Sequence, residues 1–190
     1  MKNRQTPNQF GFTLIELLIV VAIIAILAAI AVPNFLEAQV RAKVSRAKSD
    51  MRSLTTALEA YAIDYNAYPN ACCWVAETDR LNPLTTPVAF ITSIPQDIFW
   101  GDAVASALQG TWDYSDQKSV DEGMGEGTWD GPWENQPNSR WRLASNGPDR
   151  TPNWVGAGTL AAPQTSFPPT YLYDATNGTI SLGDIIRFGP

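Results

Sequence analysis

From Phe12 to Phe35 the chain carries one charge, Glu16, and from Leu17 to Val32 it has no polar side chain at all. At 1.5 Å rise per residue, the 21 residues from Phe12 to Val32 make a helix of about 30 Å, the thickness of the hydrocarbon core of a bilayer. The segment therefore reads as a transmembrane helix. A cleavable secretory signal is the competing reading, since Lys2 and Arg4 supply a basic start. Such signals, however, have an apolar stretch of about 7 to 15 residues that ends at a small-x-small cleavage site, and this one runs on into a helical pattern. The basic residues before the span place residues 1–11 in the cytoplasm and the rest of the chain outside.

Glu16 is the anomaly in this run. A carboxylate inside an apolar helix is costly in lipid unless it reaches the interface or finds a cation. Cleavage between Gly11 and Phe12 would create an amino terminus beside it, and the same terminus of a neighbouring copy could neutralise it within a helical bundle. A carboxylate resting at the membrane surface is the plainer alternative. Pro33 interrupts the helical pattern at the end of the span, where it removes a backbone donor and crowds the preceding turn, so a local bend or unwinding is expected there.

Beyond the apolar run the pattern changes but the period does not. Val44, Ala47, Met51, Leu54, Leu58, Tyr61 and Tyr65 are spaced alternately three and four apart, which is one apolar face of an amphipathic helix. Arg41, Lys43, Arg46, Lys48, Asp50, Arg52 and Glu59 occupy the other face, and Pro69 sets an end near Tyr68. One helix of about 55 residues is thus predicted, with a lipid-compatible half (12–35) and a half whose stripe needs a cover (36–68).

Residues 69–190 hold no long helical pattern, and proline and glycine recur every few positions. Thr85-Thr86-Pro87 before an apolar run predicts a short helix from Pro87 to Ser93. Trp141–Ala144 and Tyr171–Tyr173 are strand candidates, and Asn177-Gly178 before Thr179–Leu182 is a hairpin signal. The fold class is α+β, a long helix packed against a small antiparallel sheet. From Asp113 to Glu134 seven acidic residues face Lys118 alone among several glycines, which reads as a solvated insertion. A calcium loop is the sharper alternative for it, although the spacing of an EF-hand is absent. Six tryptophans from Trp100 to Trp154 suit a core or an interface.

Composition narrows the function. The chain has no histidine, the commonest general base and transition-metal ligand, and no G-x-S-x-G nucleophile motif, so no enzyme is expected. Its net charge of -6 becomes about -8 once Lys2 and Arg4 leave with a leader, so no nucleic-acid partner is expected. Cys72 and Cys73 are adjacent, compatible with a vicinal disulfide or with two free thiols, but not with a spaced zinc quartet.

Gly11-Phe12-Thr13-Leu14-Ile15-Glu16, joined to a 20-residue apolar helix, resembles the prepilin peptidase motif of type IV pilins and type II secretion pseudopilins. The stretch from Arg41 to Pro69 is similar to that of the major pseudopilin. The resemblance implies cleavage after Gly11, N-methylation of Phe12, and Glu16 as the group that sets subunit register. It also implies melting of the helix near Pro33 on assembly. The implied function is a structural subunit that polymerises through its N-terminal helix, serving type II secretion. A surface pilin for adhesion or motility, or a tethered binding module that does not polymerise, are the alternatives. The implied partners are other copies of the chain, the prepilin peptidase, the inner-membrane assembly platform, minor pseudopilins or pilins, and the bilayer before assembly. The implied locations are the bacterial inner membrane and then a periplasmic or cell-surface filament. Leu143-Ala144-Ser145-Asn146-Gly147-Pro148-Asp149 resembles the pseudopilin loop that helps hold calcium, which by that match would take Ser145, Asp149 and the carbonyl of Leu143. The family's paired acidic residues are absent, since Arg150-Thr151-Pro152-Asn153 follows, and a plain turn is the alternative.

Overall fold

A computed structural model describes residues 12–71, 78–99, 111–116, 118, 139–150, 172–174 and 183–190. Helix α1 spans Leu14–Tyr65, 52 residues. It starts at the residue after Thr13 and ends where Asn66 turns to the left-handed conformation with φ 52, a turn that asparagine tolerates and that ends the ladder three residues before the expected stop at Tyr68. The chain divides into two compact units, Met1–Gln39 and Val40–Pro190, and α1 contributes to both.

In the first unit every apolar side chain from Phe12 to Leu36 described as large is at least 45% exposed, Val20 least and Leu14 most at 88%. The run is long and apolar enough to cross a membrane, and none of it is buried in its own chain. A core helix of a soluble protein passes the same length test but hides its apolar surface; this one does not.

In the second unit the apolar face of α1 is covered. Val44, Ala47, Met51, Leu54, Ala57 and Leu58 are buried, Leu54 and Leu58 completely. Tyr61 is half-buried, and Tyr65, exposed at the end of the stripe, stacks on it with ring centroids 4.5 Å apart. The cover is a three-stranded antiparallel sheet in the order β1 (Asp113–Asp116), β2 (Trp141–Ser145), β3 (Ile185–Gly189). Asp116 faces Trp141 across one ladder, and Trp141 faces Gly189 across the other. Trp112, Tyr114, Trp141, Leu143 and Ile185 share one core with the stripe of α1. Each large buried aromatic finds a partner for its polar tip, as burial requires. The Trp112 indole N–H donates to Pro95 O (2.7 Å), Tyr114 Oη–H to Pro69 O (3.0 Å) and the Trp141 indole N–H to Glu59 Oε1 (2.8 Å). Gly189 is required by this packing, because a Cβ there would enter the Trp141 ring.

The strand expected at Trp141–Ala144 is present and is the central one. Two other expectations are corrected, and a third falls partly outside the described residues. Pro87–Ser93 is a series of bends rather than a helix; a 3-10 turn, Asn82–Leu84, precedes it, and the N–H groups of Phe90 and Ile91 both donate to the Leu84 carbonyl (2.9 and 3.2 Å). That closure lets both side chains pack on the core, whereas helical neighbours would point about 100° apart. Leu172 forms an isolated parallel bridge to Asp184, and Gly183 passes so close to the Leu172 backbone that a Cβ would collide with it; Tyr171, the start of the expected strand, lies outside the described residues. Finally, Asp113–Asp116 is not solvated insertion but β1, with Tyr114, Ser115 and Asp116 buried. Its carboxylates have structural duties: Asp113 pairs with buried Arg142 at 2.9 Å, and Asp116 accepts the N–H of Ala71 at 2.8 Å. Thr179–Leu182, Cys72, Cys73 and the acidic stretch from Ser119 to Glu134 lie outside the described residues.

Candidate assembly site on the N-terminal helix

The start of α1 is a capping box. Thr13 is the N-cap, and its hydroxyl oxygen accepts the N–H of Glu16 at 3.3 Å. Glu16 returns the contact, its Oε2 accepting both the backbone N–H (2.8 Å) and the hydroxyl (2.7 Å) of Thr13. Two otherwise orphaned donors at the helix start are satisfied reciprocally, and the carboxylate lies where the helix dipole favours negative charge. The T-x-x-E spacing was present in the sequence as a signal for this motif. It supplies local donors to a carboxylate that sequence reasoning left waiting for a cation. The same arrangement holds the carboxylate one residue away from Phe12, so an amino terminus created there would be its near neighbour. Gly11 lies outside the described residues, and α1 passes through Pro33 without a break.

Of the three residues expected to hold calcium, Leu143 and Ser145 belong to β2 and Asp149 lies in the turn that follows it. Leu143 is in mid-strand, paired with Tyr114 on one side and Arg187 on the other. Ser145 is buried and donates its hydroxyl to Asp97 Oδ1 at 2.8 Å. Asp97, which sequence reasoning did not single out, is only 5% exposed and also accepts the N–H of Phe99 at 3.0 Å. Burial pushes its carboxyl above the usual aspartate range, against hydrogen bonds from Phe99, Ser145 and Asn146 that hold it down. The buried Asn146 amide nitrogen has no hydrogen-bond partner among the described residues. Among the described residues no group of three or more acidic or cysteine side chains could hold a metal. Asp97 is served by N–H and O–H donors, and the Ser145 hydroxyl is committed to it.

A second feature missed in the sequence is Glu59. Its two oxygens accept Trp141 Nε1–H of β2 (2.8 Å) and Tyr68 Oη–H (3.1 Å), joining helix, sheet and the connection that leaves the helix.

An exposed apolar half-helix that opens with a capping box and continues as the spine of a small α+β head defines a pilin-like chain. Two family models match it: the prokaryotic N-terminal methylation motif over residues 6–32, and type II secretion system protein G over residues 34–104. The type II secretion system core protein G of Escherichia coli (strain K12) is 34% identical over 107 residues, covering 53% of this chain and 74% of that protein. The type IV major pilin protein PilA of Myxococcus xanthus (strain DK1622) is 52% identical over 66 residues, 35% of this chain and 30% of the relative. Core protein G of Pseudomonas aeruginosa is 46% identical over 66 residues, 35% of this chain and 46% of the relative. The match thus spans less than half the length of the latter two relatives. No solved structure matches the chain. The chain belongs to the type II secretion system protein G family, whose members, like the related pilins, are structural subunits rather than enzymes.

Proposed function

We propose that the chain is a pseudopilus subunit for type II protein secretion. It is cut after Gly11, methylated at Phe12, held in the inner membrane with its head outside the cytoplasm, and polymerised through α1. The observation that carries this reading is the exposed apolar surface from Phe12 to Leu36, which none of the described residues buries. Lipid covers it before assembly and neighbouring copies cover it afterwards. Glu16, already preoriented by Thr13, meets the amino terminus of a neighbour, and Pro33 is the point at which the helix yields as copies pack. The prepilin peptidase, the inner-membrane assembly platform and minor pseudopilins are the partners this requires.

The identity with PilA favours a second reading, a surface type IV pilin. One experiment addresses both. Filaments sheared from cells, and from cells overexpressing the neighbouring secretion genes, are examined by electron microscopy and their subunit by mass spectrometry. The expected subunit begins at N-methylated Phe12, and Glu16→Ala leaves it in the membrane but lowers its recovery in filaments severalfold. Filaments only on the unmodified cell surface favour the pilin. A mature start beyond residue 30, or no filament in either preparation, ends the reading.

A further inference from the structure

We propose that, before assembly, the basic residues that follow the apolar run of α1, namely Arg41, Lys43, Arg46 and Lys48, hold anionic phospholipid headgroups of the leaflet on the head's side of the membrane. The inference rests on the membrane placement proposed above and names the class of lipid that the placement selects.

Charge is segregated along the chain. Five of its 13 basic residues fall between Arg41 and Arg52, against Asp50 alone, whereas residues 53–190 hold 16 acidic residues and 6 basic ones. Such an asymmetry points to a partner of opposite charge, a nucleic acid or a membrane surface. The acidic excess of the remainder opposes the first, and the apolar run beside the basic segment brings the second within reach. All five basic side chains are exposed. Arg46 lies 3.8 Å from Asp50, while Lys43, Lys48 and Arg52 have no carboxylate at ion-pair distance among the described residues. The five come 9 to 20 positions after Val32, where basic side chains oppose the orientation set by Lys2 and Arg4, so insertion does not account for them.

Reach follows from connectivity. Leu36 is the last large apolar side chain of the exposed run. Arg41 and Lys43 follow it by five and seven residues, so even an extended chain keeps them within about 18 and 25 Å of it, and a helix brings them closer. An anionic leaflet repels the acidic remainder of the chain, and basic side chains at the tether offset that repulsion where the field is strongest. Each one near such a surface contributes up to about fivefold to the equilibrium. The effect fades beyond one screening length, so Arg41 and Lys43 contribute most and Lys48 least.

The test places the mature chain, residues 12–190, in mixed vesicles of phosphatidylcholine and phosphatidylglycerol. Electron paramagnetic resonance then compares spin-labelled phosphatidylglycerol with spin-labelled phosphatidylcholine in the lipid shell whose motion the protein restricts. Anionic lipid is expected to be preferred at least threefold at about 0.05 M salt. The preference should fall below about twofold at about 0.5 M, where the screening length is about threefold shorter. Arg41→Gln with Lys43→Gln should lower the low-salt preference at least twofold. Arg140→Gln with Arg187→Gln removes the same charge from exposed positions just before β2 and on β3, and should leave the preference unchanged. Melting in the same vesicles identifies a variant that fails to fold, and the salt dependence of the unsubstituted chain then decides. Equal occupancy by the two lipids, a preference indifferent to salt or to the Arg41 and Lys43 substitutions, or an equal loss in both paired variants overturns the proposal. A chain released from the vesicles by alkaline carbonate does not span the bilayer, and that outcome is a failure of the membrane reading itself, distinct from all of these.

Discussion

The two halves of α1 have the same backbone and opposite surfaces. From Leu17 to Val32 the side chains are apolar all round and exposed, while from Val44 to Leu58 apolar residues form a stripe and are buried beneath a sheet. A helix satisfies its own backbone, so the surrounding medium chooses the side chains: lipid or packed copies accept an apolar cylinder, whereas a water-facing head accepts only a stripe. The helix start and the head each hold a carboxylate served by hydrogen-bond donors. Glu16 takes two from Thr13 at an exposed helix start, and Asp97 takes its own from Phe99, Ser145 and Asn146 in the core. The apolar half should tolerate changes of shape that the head does not, because none of the described residues is packed on it.

Truncation should separate the halves most sharply. Leu54→Ala leaves a cavity in a fully buried site and should cost about 2–5 kcal/mol, lowering the melting temperature of the mature chain in detergent by roughly 5–15 °C. Ile24→Ala, exposed in the same helix, should leave melting unchanged; equal losses at both positions would erase the distinction. A smaller effect is expected for Glu59→Gln, which keeps one acceptor but turns an N–H2 toward Trp141 or Tyr68. About 1–2 kcal/mol should be lost, with indole fluorescence shifted, and a silent substitution would remove Glu59 from the junction of helix and sheet.

The smallest effect concerns Asp97. Its folded pKa is raised above the unfolded value, so the folded state holds a proton longer. Its contribution to stability is full below the usual aspartate range and is lost as pH rises through the folded pKa. Asp97→Asn retains an acceptor for Ser145 and Phe99 and should remove that decline. The difference in melting temperature between the unsubstituted chain and the variant should fall as pH rises through this window, and a flat difference would mean that burial does not govern this carboxyl.

Elements defined by neighbours in sequence were legible. The apolar run, the three-four spacing from Val44 to Leu58, the strand at Trp141–Ala144 and the motif from Gly11 to Glu16 all depend on residues within a few turns of one another. So did the capping box and the asparagine that ends α1, whose signals were present and passed over. The head was read less well. Asp113–Asp116 looked like part of a charged surface because its acidic residues are satisfied by Arg142 and by the backbone of Ala71, both distant in sequence. β3 was missed because its alternation over Ile185–Gly189 is short and ends in a glycine whose reason is the Trp141 ring.

The sequence by itself determined that this chain has a membrane-compatible half-helix continuing into an amphipathic one, and that its start carries an N-terminal methylation motif. Helix period, hydrophobic length and a hexapeptide motif are local quantities, complete without a partner. Only the tertiary structure decided which strands cover the stripe and where the buried carboxylates go. Glu59 meets Trp141 across 82 positions and Asp97 meets Ser145 across 48. Neither member of such a pair carries a mark of the other, because a buried polar group takes its partner from whatever the packed core brings within 3 Å.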